Sequence, residues 1–385
     1  MLSALTRKPE PVVEVRADPW GIWPGDTAPG TAPVPTVSTA MQLLAVAGCV
    51  RLITESIATL PTDVYRELGD GTRQEQPKPA WVKEPTRDLD FTSWATQVLS
   101  SLLLHGNSYT AVLRSGMTIR ELVPIDPARV AVDRVAGRLQ YRVNGVVFTG
   151  EIMHIKGMML AGADVGLSPL EYARQSIALG LSAQQYGSDN FDSSLNMPGV
   201  IQIPGVEDPG QMSAMAQSWR RARTRKGRGL PGVLSGGATW TATGVTNEQA
   251  QFLQTRQWTA AEIAAQVYLV DPRELGIPLT GSTLEYNNSQ SRKADLLRKS
   301  LLPWIIRLET ALSNLLPQPR YFKFNTNGFL RADPSERWTQ YGQAMTINTQ
   351  ASTLGQPPVL TTVEMRDFEE LGPPEDPPAV PAPAP

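Results

Sequence analysis

The sequence predicts an α+β fold, because a helix leads into a series of short strands and two long helical patterns follow. The helix that leads into the strands is expected from about Asp90 to Leu104. β-prone segments broken by glycine or proline come after it. The predicted strands are 109–114, 118–124, 129–133, 139–148 and 151–156. The last long helix has one apolar stripe, with residues three or four apart: Leu297, Leu301, Trp304, Leu308, Leu312 and Leu315.

Composition narrows the class of protein. The 385 residues are too many for one small core, and the net charge of −2 makes any nucleic-acid contact local or weak. One cysteine, Cys49, and two histidines exclude an internal disulfide and a zinc site built on these residues alone. Cys49 lies in an apolar run and is expected to be an inert core residue. No membrane span or signal-peptide core is found, so cytoplasmic synthesis is expected.

The N-terminal part combines an arm, a helix and a strand. Residues 1–38, rich in Pro, Gly and Thr, are expected to form an extended arm or, alternatively, a disordered leader. An apolar helix is predicted at 39–60, a strand at 62–66 and a polar turn segment at 69–80.

The two histidines have different expected roles. His105 precedes Gly106 at the end of a predicted helix, where a cation is favoured by the helix dipole. His154 lies in a predicted strand and is expected to be a hydrogen-bonded structural residue, since no nearby Asp or Ser pattern completes a catalytic triad.

A long helix is predicted at 168–194. Ser168 would be its N-cap, with Pro169 at the first helical position and Glu171 completing a capping box. Two glycines inside the helix would allow another backbone to approach closely: Gly180 and Gly187.

Residues 197–245 are expected to form a small β-α-β unit, with strands near 199–203 and 238–241 and a helix from Asp208 to about Lys226. Little of it is apolar, so we expect it to pair with copies of itself. A basic cluster lies at the end of the helix: Arg220, Arg221, Arg223, Arg225, Lys226 and Arg228. It is either a solvated cationic helix end or a positive surface facing DNA phosphates or an acidic partner.

The next helix is predicted from a capping box at Thr246–Gln249 to about Val267, and Asp271-Pro272 then begins a polar loop. The loop's candidate functional residues are small and neutral: Thr280, Gly281, Ser282, Thr283, Asn287 and Asn288. Pro303 should kink the long helix that follows, because it removes the amide that would bond the carbonyl of Lys299.

The C-terminal part is predicted to contain a strand and two further helices. The strand is expected at 321–325, and the helices are expected to be capped at Asp333 and at Thr361–Glu364. Residues 377–385 are Pro/Ala-rich and predict a disordered tail.

Several short motifs, in this order, resemble those of the portal proteins of long-tailed bacteriophages. They are His105–Tyr109, Glu151–Gly157, Gly166–Leu170, Arg256–Trp258, Glu262–Ala264, Leu301–Trp304, Arg331–Asp333 and Val363–Arg366. The resemblance covers about residues 39–372. Val270-Asp271-Pro272 departs from it, because the family more often has two prolines after the valine.

The resemblance implies a division of the chain into named parts. These are an N-terminal arm (1–38), a wing (39–165 and 317–332), two stem helices (166–195 and 246–271), a clip (196–245), a tunnel loop (272–290), a long kinked helix (291–316), a short helical crown (333–372) and a disordered tail (373–385).

The resemblance also implies a function without catalysis, metal or cofactor. The family forms a dodecameric ring at one capsid vertex, and double-stranded DNA passes through its channel without sequence specificity during packaging and ejection. Implied partners are the terminase large subunit, a head–tail connector or adaptor, the major capsid protein and the scaffold. The implied location is the virion, after assembly in the host cytoplasm.

Two other classes compete with this interpretation. A metal-dependent nuclease or other packaging enzyme would use carboxylates such as Asp88, Asp90 and Asp189 to hold Mg²⁺. A P-loop ATPase is disfavoured, since no G-x-x-x-x-G-K-[ST] motif occurs. Another ring-shaped head–tail adaptor is disfavoured, because such adaptors are usually much shorter than this chain.

Overall fold

The computed structural model describes residues 35–69, 72–192, 199–202, 239–242, 248–277, 289–326, 329 and 334–369. The chain divides into two compact units. The first contains Met1–Leu284 and Leu296–Phe324, and the second contains Glu285–Asp295 and Asn325–Pro385. Within the described residues, helices and strands are mixed in the way that an α+β chain requires.

The helices described are α1 (Val37–Ala40), α2 (Leu44–Ala58), α3 (Ala80–Lys83), α4 (Phe91–His105), α5 (Pro169–Tyr172), α6 (Arg174–Asp192), α7 (Glu248–Glu262), α8 (Ser289–Asp295), α9 (Leu302–Ser313), α10 (Pro334–Thr353) and α11 (Thr362–Phe368). The strands described are β1 (Thr62–Glu67), β2 (Arg73–Gln76), β3 (Asn107–Ser115), β4 (Thr118–Ile125), β5 (Val130–Val135), β6 (Arg138–Val143), β7 (Val146–Val147), β8 (Glu151–Lys156), β9 (Gly199–Gln202), β10 (Thr239–Ala242) and β11 (Arg320–Phe324). Short 3₁₀ turns lie at Pro127–Arg129 and Pro272–Leu275, and π-helical segments at Ile263–Val267 and Leu296–Leu301.

The central sheet of the first unit has the strand order β4-β3-β8, all antiparallel. β3 is buried from Asn107 to Val112, so its apolar side chains contact neighbours on both faces. Helix α4 packs beside it, and the indole Nε1 of Trp94 donates a hydrogen bond to the Leu122 carbonyl (3.0 Å). Asp90 caps α4 by accepting from the Ser93 amide, and the helix therefore begins where the sequence predicts.

A second antiparallel sheet, in the order β5-β6-β7, shares a core with the first. That core is formed by Tyr109, Ala111, Ile125, Val130, Val143 and Phe148. The predicted strand 139–148 is therefore two strands, because Asn144 and Gly145 both adopt positive φ and turn the chain.

The third sheet joins residues from opposite ends of the first unit. β1 pairs with both β11 and β2, and Thr62 faces Phe324 in the register. The predicted strands at 62–66 and 321–325 are thus confirmed as partners. The prediction of a polar turn segment at 69–80 is wrong, because residues 73–76 form the edge strand β2.

The predicted helix 39–60 is two helices. α1 ends at Ala40, and α2 begins only at Leu44, after a turn. Cys49 on α2 is fully buried, as expected, and burial raises the pKa of its thiol to about 12. The inert-core interpretation of Cys49 therefore agrees with its environment.

The helix predicted at 168–194 also differs from expectation. Ala173 separates the single turn α5 from α6, and the Ser168 side chain makes no capping bond. A Cβ on Gly180 would meet Leu43 side-chain atoms at 3.0 and 3.2 Å, so side chains, not another backbone, approach this glycine. Gly187 lies where no side-chain surroundings are described.

In the predicted clip, β9 and β10 form an antiparallel pair, whereas the helix expected between them lies outside the described residues. Thr246, which begins the predicted capping box Thr246–Gln249, lies outside them as well, although α7 follows where expected. None of the helices described is long and apolar enough to cross a bilayer.

The second unit contains α8, α10 and α11. Its predicted capping box is confirmed, because the Glu364 amide donates to Thr361 Oγ1 (3.2 Å) and the Thr361 amide donates to Glu364 Oε2 (2.7 Å). The Asn348 side chain fastens the turn before α11, accepting from the Val359 amide and donating to the Leu360 carbonyl. Asp333, the expected cap of α10, lies outside the described residues.

Candidate functional site

All of the sequence-predicted site residues lie outside the part of the chain that the structure describes. This holds for the loop residues Thr280, Gly281, Ser282, Thr283, Asn287 and Asn288. It holds equally for the basic cluster Arg220, Arg221, Arg223, Arg225, Lys226 and Arg228. The structure describes two regions of the first unit that bear on function. The first supports the loop and is here called the frame (269–277 and 296–301). The second is a buried connection and is here called the junction (105–109, 154–157 and 166–168).

The frame delivers the chain to the loop through a fixed turn. Asp271 accepts from the Arg273 amide (3.0 Å) and caps the 3₁₀ turn that begins at Pro272. The same carboxylate pairs with the Arg273 guanidinium at 2.7 Å. Gly276 then ends the turn with φ of 70°. The Asp271-Pro272 break is therefore confirmed, and Asp271 in this chain supplies a cap that a proline could not.

Two π-helical segments contribute to the frame. After the first, Ile263–Val267, Leu269 adopts φ of 55°, a strained backbone for a non-glycine residue. The Val270 amide donates back to the Ala264 carbonyl (2.9 Å). Ser300, in the second π-helical segment, donates its hydroxyl to the Leu269 carbonyl (2.5 Å). The strained turn is thus held from both sides.

The departure from α-helical geometry precedes Pro303. The sequence predicts a kink caused by the missing amide of Pro303, whereas the structure has the π-helical segment Leu296–Leu301 immediately before α9. Such segments are rare and are frequent at functional positions. Sequence reasoning found the irregular region but not its form, because apolar spacing does not distinguish α from π turns.

The junction brings together three of the motifs that carry the family resemblance. Its centre is Asn107, which is fully buried. Asn107 Oδ1 accepts from the Gly166 amide (2.7 Å), and its Nδ2 donates to the carbonyls of Gly166 (2.8 Å) and His105 (3.2 Å). One side chain therefore satisfies both backbone groups of Gly166, a residue 59 positions away.

Three glycines allow the backbone segments of the junction to approach one another closely. A Cβ on Gly106 would lie 1.8 Å from the Leu167 carbonyl oxygen, and Gly106 itself has φ of 70°. A Cβ on Gly157 or on Gly166 would meet the Gly106 carbonyl oxygen at 2.9 or 2.2 Å. Since backbone atoms cannot move aside as a flexible side chain can, these positions require glycine.

His154 completes the junction as a neutral, structural residue. Its Nε2 lies 3.1 Å from Asn107 Oδ1, its Nδ1 lies 3.3 Å from the Tyr141 hydroxyl, and its ring packs 4.4 Å from that of Tyr109. Burial, with a smaller contribution from Lys156, lowers the pKa of His154 to about 3. The prediction of a hydrogen-bonded structural histidine is confirmed.

The junction links four elements of the first unit. Ser168, at the N-cap of α5 as predicted, donates its hydroxyl to the Leu104 carbonyl at the end of α4 (3.1 Å) and makes no side-chain capping bond. Arg307 of α9 donates to the Lys156 carbonyl at the end of β8 (3.1 Å) and lies over the Trp304 ring. β8, α4, α5 and α9 are therefore joined at one place.

The chemistry of the junction is that of a connector. The polar groups of Asn107, His154 and Gly166 bond to one another, and His154 is buried and neutral. Among the residues described, no group of three or more His, Cys, Asp or Glu side chains is arranged to hold a metal ion.

Comparison with known proteins identifies the family. A family model described as phage portal protein matches residues 44–370. The chain belongs to the phage portal protein family. The probable portal protein of Streptomyces phage phiC31 is 35% identical over 326 residues, covering 77% of this chain and 70% of that relative.

Solved structures share the portal fold. An HK97 family phage portal protein from Corynebacterium diphtheriae matches with a TM-score of 0.59 and 18% identity, covering 79% of this chain and 99% of that one. A chain from the neck of a native gene transfer agent particle, computed with C12 symmetry, matches with a TM-score of 0.53 and 22% identity, covering 91% and 97%. The family model and the phiC31 relative together make this chain a bacteriophage portal protein.

Sequence reasoning missed Asn107 as the centre of the portal junction. The signal was present, because His105–Tyr109, Glu151–Gly157 and Gly166–Leu170 are recognisable as motifs. Each contains a glycine, but nothing local indicates that the three motifs meet.

Proposed function

We propose that this chain is the subunit of a portal ring through which the phage genome is packaged and later ejected. The observation that carries the proposal is the match of the portal family model over residues 44–370. The likeness to a chain in a neck computed with C12 symmetry supports a ring of about twelve copies. The ring would contact the major capsid protein and the scaffold during assembly.

In this proposal, residues 272–290 form the tunnel loop that faces DNA. A conduit must pass any sequence without holding it, so base-reading groups and many fixed cations would be unfavourable there. Thr280, Gly281, Ser282, Thr283, Asn287 and Asn288 offer only neutral contacts. The frame supports the assignment, because Asp271 and Ser300 fix the backbone where the loop begins at Pro272.

The stem would be 166–195 and 246–271, which α6 and α7 occupy in part, and the wing would be 39–165 and 317–332. Residues 196–245 would be the clip, where the terminase large subunit docks during packaging and a head–tail connector afterwards. Arg220, Arg221, Arg223, Arg225, Lys226 and Arg228 would contact an acidic partner surface or DNA phosphates. Residues 291–316 would be the long helix, and 333–372 the crown.

Assembly is the first test. Purified protein should form a ring-sized species in multi-angle light scattering and a ring with a central hole in electron micrographs. A protein that stays monomeric at micromolar concentrations would contradict the proposal, and metal-dependent DNA cleavage by that monomer would favour the nuclease interpretation.

The loop is tested by adding charge. Thr283→Lys adds one cation per subunit, so DNA passage should slow most at low salt while ring assembly stays normal. Thr118→Lys, at the exposed start of β4, is the matched control for added charge. The measurement is packaged DNA length and retention, and deletion of Gly281–Thr283 should instead make packaged genomes leak. If Thr283→Lys and the control behave alike at every salt concentration, the loop does not touch DNA.

The basic cluster is tested by removing charge. Replacing Arg220, Arg221, Arg223 and Arg225 by Gln should leave folding intact, because exposed charges contribute little to stability, but should weaken packaging. The matched control replaces four exposed arginines elsewhere: Arg66, Arg87, Arg120 and Arg138. Equal packaging by both variants would assign the cluster to a solvated helix end.

A further inference from the structure

The second unit exposes more large apolar side chains than it buries. Within its described part, the buried apolar residues are Ala351 and Met365, whereas seven large apolar residues are exposed. In the described part of the first unit, buried apolar residues far outnumber the exposed ones. A single exposed apolar side chain is ordinary, but a group of this size on a small helical unit indicates a surface that another surface covers.

Most of these exposed residues belong to a stretch of sequence without charge. Residues 338–363, here called the neutral segment, contain no Asp, Glu, Lys, Arg or His. In the whole chain 19% of the residues are charged, a frequency at which a stretch of this length would carry several charges. A helix that faces water normally carries charges on that side, and loss of charge is typical of the centre of a protein interface. The neutral segment therefore has the composition of an interface.

The exposed apolar residues of α10 form two stripes on opposite sides of the helix. At about 3.6 residues per turn, successive residues are roughly 100° apart around the axis. Trp338 and Met345 therefore share one side and form the first stripe. Ile347 and Leu354 form the second stripe, about 180° away. Leu354 follows the end of α10, and its amide still donates to the Ala351 carbonyl.

Neither stripe holds the second unit together. α11 and the turn before it contact a third side of α10, which carries Arg337, Tyr341 and Asn348. Glu369 pairs with Arg337 and accepts from the Tyr341 hydroxyl, and Asn348 accepts from the Val359 amide. This side lies between the stripes, roughly 90° from each. α10 is therefore packed on one side and apolar on both flanks.

Two opposite stripes fit neighbouring copies in a ring. In a closed ring each subunit meets one copy on either side through different surfaces, so it needs two contact surfaces that face away from each other. Rotational symmetry also places equivalent segments of adjacent copies beside one another, where repeated charges of one sign would repel. A neutral segment with an apolar stripe on each flank meets both conditions. A single partner of another kind would explain one stripe and leave the other exposed.

We propose that the neutral segments of adjacent subunits pack side by side, with the first stripe of one copy against the second stripe of the next. This inference rests on the proposed portal ring and names a contact between its subunits. Trp338 and Met345 of one copy cover Ile347 and Leu354 of the neighbouring copy, so both stripes leave water. The second unit, which buries little by itself, thus obtains a core from its neighbours.

Cysteine crosslinking of assembled rings tests the contact. Met345→Cys and Ile347→Cys are combined in one chain, where the two side chains point to opposite sides of α10 and cannot bond to each other. The native Cys49 is fully buried and does not interfere. Oxidation should join position 345 of one copy to position 347 of the next and give a ladder of covalent oligomers on a denaturing gel.

The matched control places two cysteines on the remaining side of the same helix. Thr339→Cys and Thr346→Cys are exposed and lie on the side of α10 that faces away from α11. Because this side carries neither stripe, oxidation of the control rings should give no ladder.

A charge within a stripe gives a second measurement. Met345→Glu should increase hydrogen exchange of residues 338–353 in the ring severalfold, because an unpaired carboxylate would be buried against the neighbouring copy. Thr346→Glu is the control, since its carboxylate stays in water and exchange should not change.

The outcomes separate this contact from the ring itself. Rings that give no ladder, or that join position 345 only to position 345 of another copy, overturn the contact and leave the proposed portal ring in place. Equal exchange in Met345→Glu and Thr346→Glu rings overturns the contact as well. A protein that forms no ring contradicts the proposed function and this inference together.

Discussion

The junction and the second unit, called the C-terminal unit below, each fasten a helix to a distant part of the chain. The junction does so with backbone atoms and the C-terminal unit with side chains. In the junction, backbone approaches backbone so closely that Gly106, Gly157 and Gly166 have no room for a Cβ. In the C-terminal unit, side chains make the connections: Asn348 holds the turn before α11, and Glu369 bonds to Tyr341 and Arg337. A Cβ added to either of the two glycines described in that unit, Gly342 or Gly355, would have no other atom within 4 Å.

This difference predicts how each region tolerates substitution. A backbone clash moves whole elements, since four of them meet at the junction. A lost side-chain bond removes only that bond and leaves the helices their own capping and packing. The predictions below test this contrast, beginning with the largest expected effect.

Gly106→Ala should reduce the free energy of unfolding by more than about 4 kcal/mol, or prevent soluble expression, because its Cβ would overlap the Leu167 carbonyl oxygen. Gly116→Ala is the matched control, since Gly116 also has positive φ (62°) but nothing within 4 Å. The control should lose only about 1 kcal/mol. Chemical denaturation measures the free energy of unfolding of both variants. Equal losses would mean that the positive φ, and not the close approach of the Leu167 carbonyl, requires glycine at position 106.

Asn107→Ala should reduce the free energy of unfolding by about 3 kcal/mol, because the buried amide and carbonyl of Gly166 both lose their partner. Ser101→Ala removes a hydroxyl that bonds only within its own helix and should change stability by less than about 0.5 kcal/mol. A loss at Asn107 as small as that of the control would contradict the central role given to this residue.

His154 should make stability sensitive to acid. Its pKa in the folded protein is lowered to about 3, so the unfolded chain binds a proton first as the pH falls below its ordinary value near 6.5. The stability from neutral His154 is therefore present above pH 6.5 and is lost as the pH falls towards 3, by up to about 1.4 kcal/mol per pH unit.

His154→Gln should flatten this dependence, as measured by denaturation between pH 7 and pH 4. His105→Gln, which changes the other histidine, should keep the slope that His154 contributes. An unchanged slope in His154→Gln would show that the junction does not control acid stability.

Glu369→Gln should have the smallest effect. It removes the charge pair with Arg337 but keeps an acceptor for the Tyr341 hydroxyl, so we expect a loss of about 1 kcal/mol or less. Hydrogen exchange should quicken in residues 362–369 and stay unchanged in β3. Glu55→Gln, in an exposed pair with Arg51, is the control for a charge change alone. Faster exchange throughout the chain would mean that the bonds of Glu369 to Arg337 and Tyr341 stabilise more than the second unit.

Much of the local structure could be predicted from sequence because its cause is local. Asp90 and the pair Thr361 and Glu364 act within one helical turn, so their patterns identify helix starts correctly. Alternating strands between glycine turns gave β3, β4 and β8 nearly their observed bounds. Ser168 occupies the N-cap position that the sequence predicts, but its hydroxyl bonds to the Leu104 carbonyl, 64 residues away, and no local pattern indicates that partner.

The sequence by itself determined the family, the α+β class and the positions of most helix starts and strands, since these follow from motif order, capping residues and apolar periodicity. Only the tertiary structure decided that Asn107 is the centre of the junction, that three glycines meet there and that Ser300 holds the strained turn at Leu269. The physical reason is that these features depend on the approach of residues distant in sequence. Packing sets that approach, and no local propensity encodes it.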